Sequence, residues 1–180
     1  GSGSYASFAS SNAGRTKLVW IAANDGMLHA FQASNGAEVF AYLPGSVITT
    51  ATGDANGFTG IASLADPNYG GTSDPHQDFN DGELTVADAY LSTSGSWRTI
   101  LVGTTGRGST KAVYALDITN PAAPAFLWEH SAADSGYSAI GQINGQQVIA
   151  QTANGTWSAL IGNGYNSTSD TAARLQFNLA

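Results

Sequence analysis

Asp25 and His29 stand four residues apart in LVWIAANDGMLHAFQASNGAEVFAY, residues 18–42. A carboxylate beside an imidazole could act as a general base or as half of a metal site. Asp25, however, sits in Asn24-Asp25-Gly26, three residue types that tolerate positive φ, and His29 lies in the apolar run that follows. No nucleophile or third ligand accompanies them in sequence. The expectation is structural: Asp25 caps the turn through its side chain, and His29 bonds a backbone carbonyl between neighbouring sheets.

The densest oxygen-bearing run is Asp74, Asp78, Asn80, Asp81, Glu83 and Asp88. DFNDGE has the residue types of a calcium loop but falls one residue short of the D-x-[DN]-x-[DN]-G spacing. A polar turn with Asp81-Gly82 as its bend is expected instead. GDANG at 53–57 reads as a surface turn. GTTGRG at 103–108 follows an apolar run, as a phosphate loop would. A phosphate loop needs Gly-Lys-Ser/Thr and a following helix, and a strand pattern follows here. There is no Gly-x-Ser-x-Gly elbow, and only three histidines are present. Trp20, Trp97, Trp128 and Trp157 could stack on sugars, but large rings more often dock one sheet on another. Asn154-Gly155-Thr156 and Asn166-Ser167-Thr168 are glycosylation sequons that matter only in a host that glycosylates. These residues assign no catalytic, cofactor-binding or metal site.

Totals narrow the class. Only 11% of the 180 residues are charged, against about 25% in an ordinary domain, and Gly, Ser, Thr and Ala fill the difference. That composition suits many short strands and tight turns. A net charge of -7 with six Lys and Arg argues against nucleic acid. The absence of cysteine excludes disulfides, thiolate metal sites and thiol catalysis. A Lys-poor, acidic chain of this kind leans toward export. No apolar run approaches the ~18 residues of a membrane span, and GSGSYASFASSNAGR lacks the features of a signal peptide.

The positioning elements follow from the punctuation. Leu18–Ala22 is a continuous apolar run, expected to be buried on both faces. After Asn24-Asp25-Gly26 comes a strand over Met27–Phe31, then Ser34-Asn35-Gly36, then a strand over Glu38–Leu43 stopped by Pro44-Gly45. The pattern returns as Glu83–Tyr90, Thr99–Gly103, Ala112–Ile118 and Ala125–Glu129. It returns again as Ser138–Ile143, Gln147–Thr152, Trp157–Ile161 and Arg174–Leu179. No convincing amphipathic helix is visible. The predicted fold is all-β: antiparallel, four-stranded, propeller-like blades, about three of them, and so a fragment of a larger propeller, since propellers close with about 4 to 8. Residues 1–16 read as a flexible linker or tag, 17–180 as the partial propeller, and 45–82 as a long loop insertion.

NDGMLHAFQASNGAEVFAYLP resembles the blade motif of the C-terminal propeller of PilY-type proteins, the tip-associated biogenesis factors and adhesins of bacterial type IV pili. HQDFNDGELTVADAY at 76–90, WRTILVGTTGRGSTKAVYALDIT at 97–119, and then LWEH, SGYS and ALIGNGYNS are similar to the family's ordered motifs. The resemblance covers roughly residues 17–180. Gln77 and Asp78 depart from the basic and aromatic residues of the pattern, and the Arg-Gly-Asp tripeptide of some members is absent. The resemblance implies a quinoprotein-like propeller with no enzymatic activity, exported to the surface or pilus tip of a Gram-negative bacterium. Pilus subunits or minor pilins, and host or abiotic surfaces, are the implied partners. Self-association through open blade faces is a further expectation. No cofactor is expected in this segment, because the family's calcium loop falls outside the motifs present. The alternatives are a calcium- or carbohydrate-binding module, or the remnant of a quinoprotein dehydrogenase.

Overall fold

The computed structural model describes residues 2–50, 57, 58 and 60–180. Ten strands form three antiparallel sheets. The first holds β1 (Leu18–Ala22), β2 (Leu28–Gln32) and β3 (Glu38–Tyr42). The second holds β4 (Leu84–Leu91), β5 (Ser96–Thr104), β6 (Ala112–Asp117) and β7 (Ala125–Ser131). The third holds β8 (Val148–Gln151), β9 (Trp157–Gly162) and β10 (Arg174–Asn178). Each is a meander in which chain neighbours pair. Gly26, Gly36 and Gly155 supply the positive φ that the hairpin turns require.

The middle sheet is covered on both faces, and its sequence shows it. Along β5, Ile100 and Val102 enter one apolar cluster while Leu101 enters another. Along β6, Val113 and Ala115 face the first cluster, and Tyr114 and Leu116 the second. All seven are fully buried. Period-two alternation between two cores makes such strands read as unbroken apolar runs. The larger core joins the second and third sheets through Ile140, Ile143, Ala159, Ile161, Phe177 and Leu179. The smaller joins the first and second through Leu28, Leu101, Tyr114, Leu116 and Ile118.

Three expectations change. Leu18–Ala22 is not buried on both faces: Leu18 and Trp20 turn inward, while Val19 and Ile21 are 49% and 48% exposed. Ser138–Ile143 is not a strand; a single bridge joins Gln142 to Tyr165, and the Gly141 backbone approaches the Asn163 and Tyr165 carbonyls too closely for any side chain. Residues expected as a linker form helix α1 (Ser2–Asn12). Its apolar residues gather on no single face, so periodicity does not announce it. Contacts from far along the chain hold it. The Tyr5 ring lies 4.6 Å from that of Trp97, the Tyr5 hydroxyl donates to Asp88, and Trp97 Nε1 donates to Ser4. Between the first two sheets the chain makes a short helix α2 (Gly45–Thr50) and a 3₁₀ turn at Gly60–Ala65.

Candidate functional site

Asp25 and His29 come together as the spacing suggested, with a third member, Glu38. The His29 ring lies between two carboxylates, Nε2 at 2.9 Å from Asp25 Oδ2 and Nδ1 at 2.5 Å from Glu38 Oε1. Both carboxylates only accept, so both ring nitrogens donate and the ring carries a proton on each. The Glu38 hydrogen bond raises the His29 pKa against the opposing effect of burial, and Asp25 adds to it. Asp25 also accepts from the Met27 N–H, which is the turn cap expected of it. The His29 partner is therefore a carboxylate pair and not a backbone carbonyl. The register explains this: Glu38 lies opposite Phe31, two residues along from His29 on the same face, at a bulge between Ala30 and Phe31. Both ring nitrogens are thus engaged with carboxylates of the same sheet. The imidazole is a clamp between strands.

The loops at one end of the three sheets join into a continuous rim. Asn24 Nδ2 donates to Asp78 at 3.1 Å. Asp78 and Asp81 flank Arg107, whose backbone N–H and Nε both donate to Asp81 at 2.8 Å. Gln142 Nε2 donates to the carbonyls of Arg107 and Gly108, Asn166 Nδ2 donates to Gln142 Oε1, and Lys111 Nζ donates to the Asn166 carbonyl. GTTGRG and DFNDG are thus two halves of one joint. A Cβ on Gly82 would strike Thr104, one on Gly106 would strike Asp81, and one on Gly108 would strike the Asp78 carbonyl. The glycines serve close backbone approach and not phosphate binding.

The remaining acidic residues are dispersed. Asn80 is buried, accepting from the Tyr114 hydroxyl and donating to the Gly26 carbonyl. Asp88 accepts from Thr99 and Tyr5 at the opposite end of β4. Asp74 is buried at a bridge to Tyr69, and Glu83 is exposed. Among the described residues, no three His, Asp or Glu side chains gather as metal ligands would. The GDANG stretch, at 53–57, lies outside the described residues except for Gly57.

Glu129 was not singled out by the sequence and proves to be a principal tie. From β7 it accepts from the Tyr42 hydroxyl at 2.5 Å and from the Gly45 and Ser46 N–H groups at 3.0 and 2.7 Å. It thereby caps α2 and binds the first sheet to the second. Burial, then Glu129, pushes the Tyr42 pKa well up, and burial does the same for Tyr114. No spacing rule links Glu129 to Tyr42, 87 residues away. The tryptophans pack: Trp20 edge-on to Phe40, Trp97 edge-on to Trp157, and Trp128 in a stack with His130 and Phe177. Both sequon asparagines, Asn154 and Asn166, lie exposed on turns.

Residues 1–179 match the PilY1 beta-propeller domain. The chain belongs to the PilY1 β-propeller domain family. It is 44% identical over 179 residues to a type IV pilus biogenesis factor PilY1 homolog of Xylella fastidiosa, covering 99% of this chain and 13% of that protein. It is 37% identical over 181 residues to the type IV pilus biogenesis factor PilY1 of Pseudomonas aeruginosa, covering 99% of this chain and 14% of that protein. The crystal structure of the Pseudomonas aeruginosa PilY1 C-terminal domain superposes with a TM-score of 0.73 at 32% identity, covering 97% of this chain and 30% of that one. The chain thus spans about a seventh of the relatives it matches, and the likeness to PilY1 begins at residue 1, ahead of the motifs that carried the sequence resemblance.

Proposed function

We propose that this segment is a non-enzymatic scaffold within a type IV pilus biogenesis factor, holding a rim of loops for contact with pilus subunits or with the surface a pilus meets. The observation that carries this reading is the engagement of the reactive-looking side chains. His29, Asp25, Asp78, Asp81, Asp88 and Glu129 are hydrogen-bonded within and between sheets, and the loops tied through Asp78 and Asp81 form one edge. Function in such a fold belongs to its loops. The working residues are the exposed ones of the 66–73 and 163–173 stretches together with Arg107. The outer face of the first sheet, where Val19, Ile21 and Val39 lie exposed beside the His29 clamp, is a second contact surface, for a neighbouring part of the longer protein or for another copy.

The test is substitution, since deleting residues 45–82 would also remove the buried Val47 and Phe79. Alanine at Asn68, Thr72, Ser169 and Thr171 in the full-length protein should leave folding unchanged and reduce piliation or twitching. Full twitching with that variant would remove the loops as the working surface. A cofactor-free absorbance spectrum and a melting temperature equal in calcium and in chelator are expected of the purified chain. A quinone band, or a calcium shift of several degrees, would favour the enzymatic or calcium-binding alternative.

A further inference from the structure

We propose that the cleft between the first and second sheets is a binding site for a small organic anion, one carboxylate or phosphate head on an apolar body. The cleft holds about 400 Å³. It opens where the smaller core ends, beyond Ile118, at the end of the molecule where Asp88, Thr99 and Ile118 lie side by side. Leu18, Trp20, Val86, Ile118 and Pro121 give it apolar lining, and Arg15, Lys17 and Thr99 give it polar lining.

Charge supplies the specificity. The chain carries -7 overall and has only six Lys and Arg. Arg98 pairs with Asp117, and Arg107 with Asp78 and Asp81. Arg15 and Lys17 have no carboxylate within ion-pair distance among the described residues, and both line this cleft, two apart in sequence. Arg15 Nη1 donates to Thr99 Oγ1 at 2.8 Å and to the Thr119 carbonyl at 3.4 Å, both neutral partners. The nearest acid in that network, Asp88, has its two oxygens taken by Thr99 and Tyr5. The guanidinium is therefore held in place with no direct carboxylate contact, Asp88 standing one hydroxyl beyond it. A held guanidinium beside a second cation suits a two-oxygen anionic head. The apolar lining, with Val86 half exposed, gains by covering with hydrocarbon. A bare inorganic anion would leave that lining wet, and a neutral hydrocarbon would leave the cations unused.

The experiment titrates the purified chain with hexanoate, hexyl phosphate, hexanol, acetate and inorganic phosphate, reading the Trp20 indole N–H and the Val86 and Ile118 amides by NMR. Hexanoate or hexyl phosphate should shift all three signals, and the tighter of the two identifies the preferred head. Hexanol, acetate and inorganic phosphate should bind at least about tenfold more weakly, as expected when either the charged or the apolar contact is missing. Lys17→Gln should weaken the favoured ligand about fivefold to tenfold. Val86→Glu, at an exposed position, should abolish binding while the spectrum stays folded. Lys111→Gln, on the distant rim, should change nothing. Hexanol binding as tightly as the anions would overturn the proposal. So would inorganic phosphate matching hexyl phosphate, binding unmoved by both Lys17→Gln and Val86→Glu, or no shift of Trp20 at millimolar ligand.

Discussion

The two interfaces of the middle sheet are built by different means. Toward the third sheet the contact is mainly apolar and aromatic, with hydrogen bonds at loops and strand ends, such as Thr104 to the Ile143 carbonyl and Gln142 to the Gly108 carbonyl. Trp128, His130, Tyr137 and Phe177 stack with nearly parallel rings, His130 and Tyr137 only 4.0 Å apart, over a bed of Ile, Val and Ala. Toward the first sheet the apolar cluster is smaller, and hydrogen bonds fix the relative position: Tyr42 to Glu129, Asn24 to Asp78, and Tyr114 through Asn80 to the Gly26 carbonyl. Burial of carbon is insensitive to direction, whereas a hydrogen bond specifies distance and angle. The third sheet is therefore held chiefly by area, with hydrogen bonds added at its loops, and the first sheet relies more on direction.

This contrast can be broken most forcefully at Phe177. Phe177→Ala should cost about 3–5 kcal/mol and lower the melting temperature by many degrees, read by thermal or urea unfolding. If the loss were under about 1 kcal/mol, the aromatic stack would not be what holds the third sheet. Next, Gly106→Ala imposes a Cβ where φ is +75° and Asp81 is in contact, so about 2–3 kcal/mol is expected. Tyr114→Phe should cost about 1–1.5 kcal/mol, leaving buried Asn80 short of a donor, and should loosen hydrogen-exchange protection in the first sheet and not in the third.

The smallest effect contrasts a histidine clamped within the first sheet with one stacked at the third-sheet interface. His29 has a raised pKa, so its contribution is complete below the unfolded value of about 6.5 and is lost as pH rises through the folded value. His130 has a lowered pKa because burial disfavours its charge, with Asp134 and Glu129 opposing. Its neutral ring fits the stack, so its contribution is complete above about 6.5 and is lost as pH falls through the folded value. Urea midpoints from pH 5 to 8 should therefore tilt in opposite directions on His29→Gln and His130→Gln, each by less than about 1 kcal/mol. Parallel slopes would mean that the two rings do not sit in contrasting surroundings.

The strands were legible because their signals are local. An Asn-Asp-Gly or Ser-Asn-Gly turn between short apolar runs fixes a meander without reference to anything distant, whereas an apolar run does not say how many of its faces are covered: LVWIA and TILVG look alike, and only the second is buried on both. Helix α1 was not legible, since Tyr5 meets its partners Asp88 and Trp97 only in the folded chain. Glu129 and Arg107 escaped notice for the same reason. Glu38 could have been found, because antiparallel pairing across Asn35-Gly36 brings it to the level of Phe31, on the His29 face. The GTTGRG and DFNDG stretches both read as loops, the second bending at Phe79-Asn80 and not at Asp81-Gly82, but nothing in either stretch says that the other is its partner.

The strict alternation along β5 has a consequence for fidelity of assembly. Ile100, Leu101 and Val102 serve opposite neighbours in turn, so a slip of one residue would present each neighbour with side chains shaped for the other. Both flanking sheets would lose their seats in the same event. The central strand has no half-correct alignment in which one side could settle early, and errors of pairing are rejected by two partners at once.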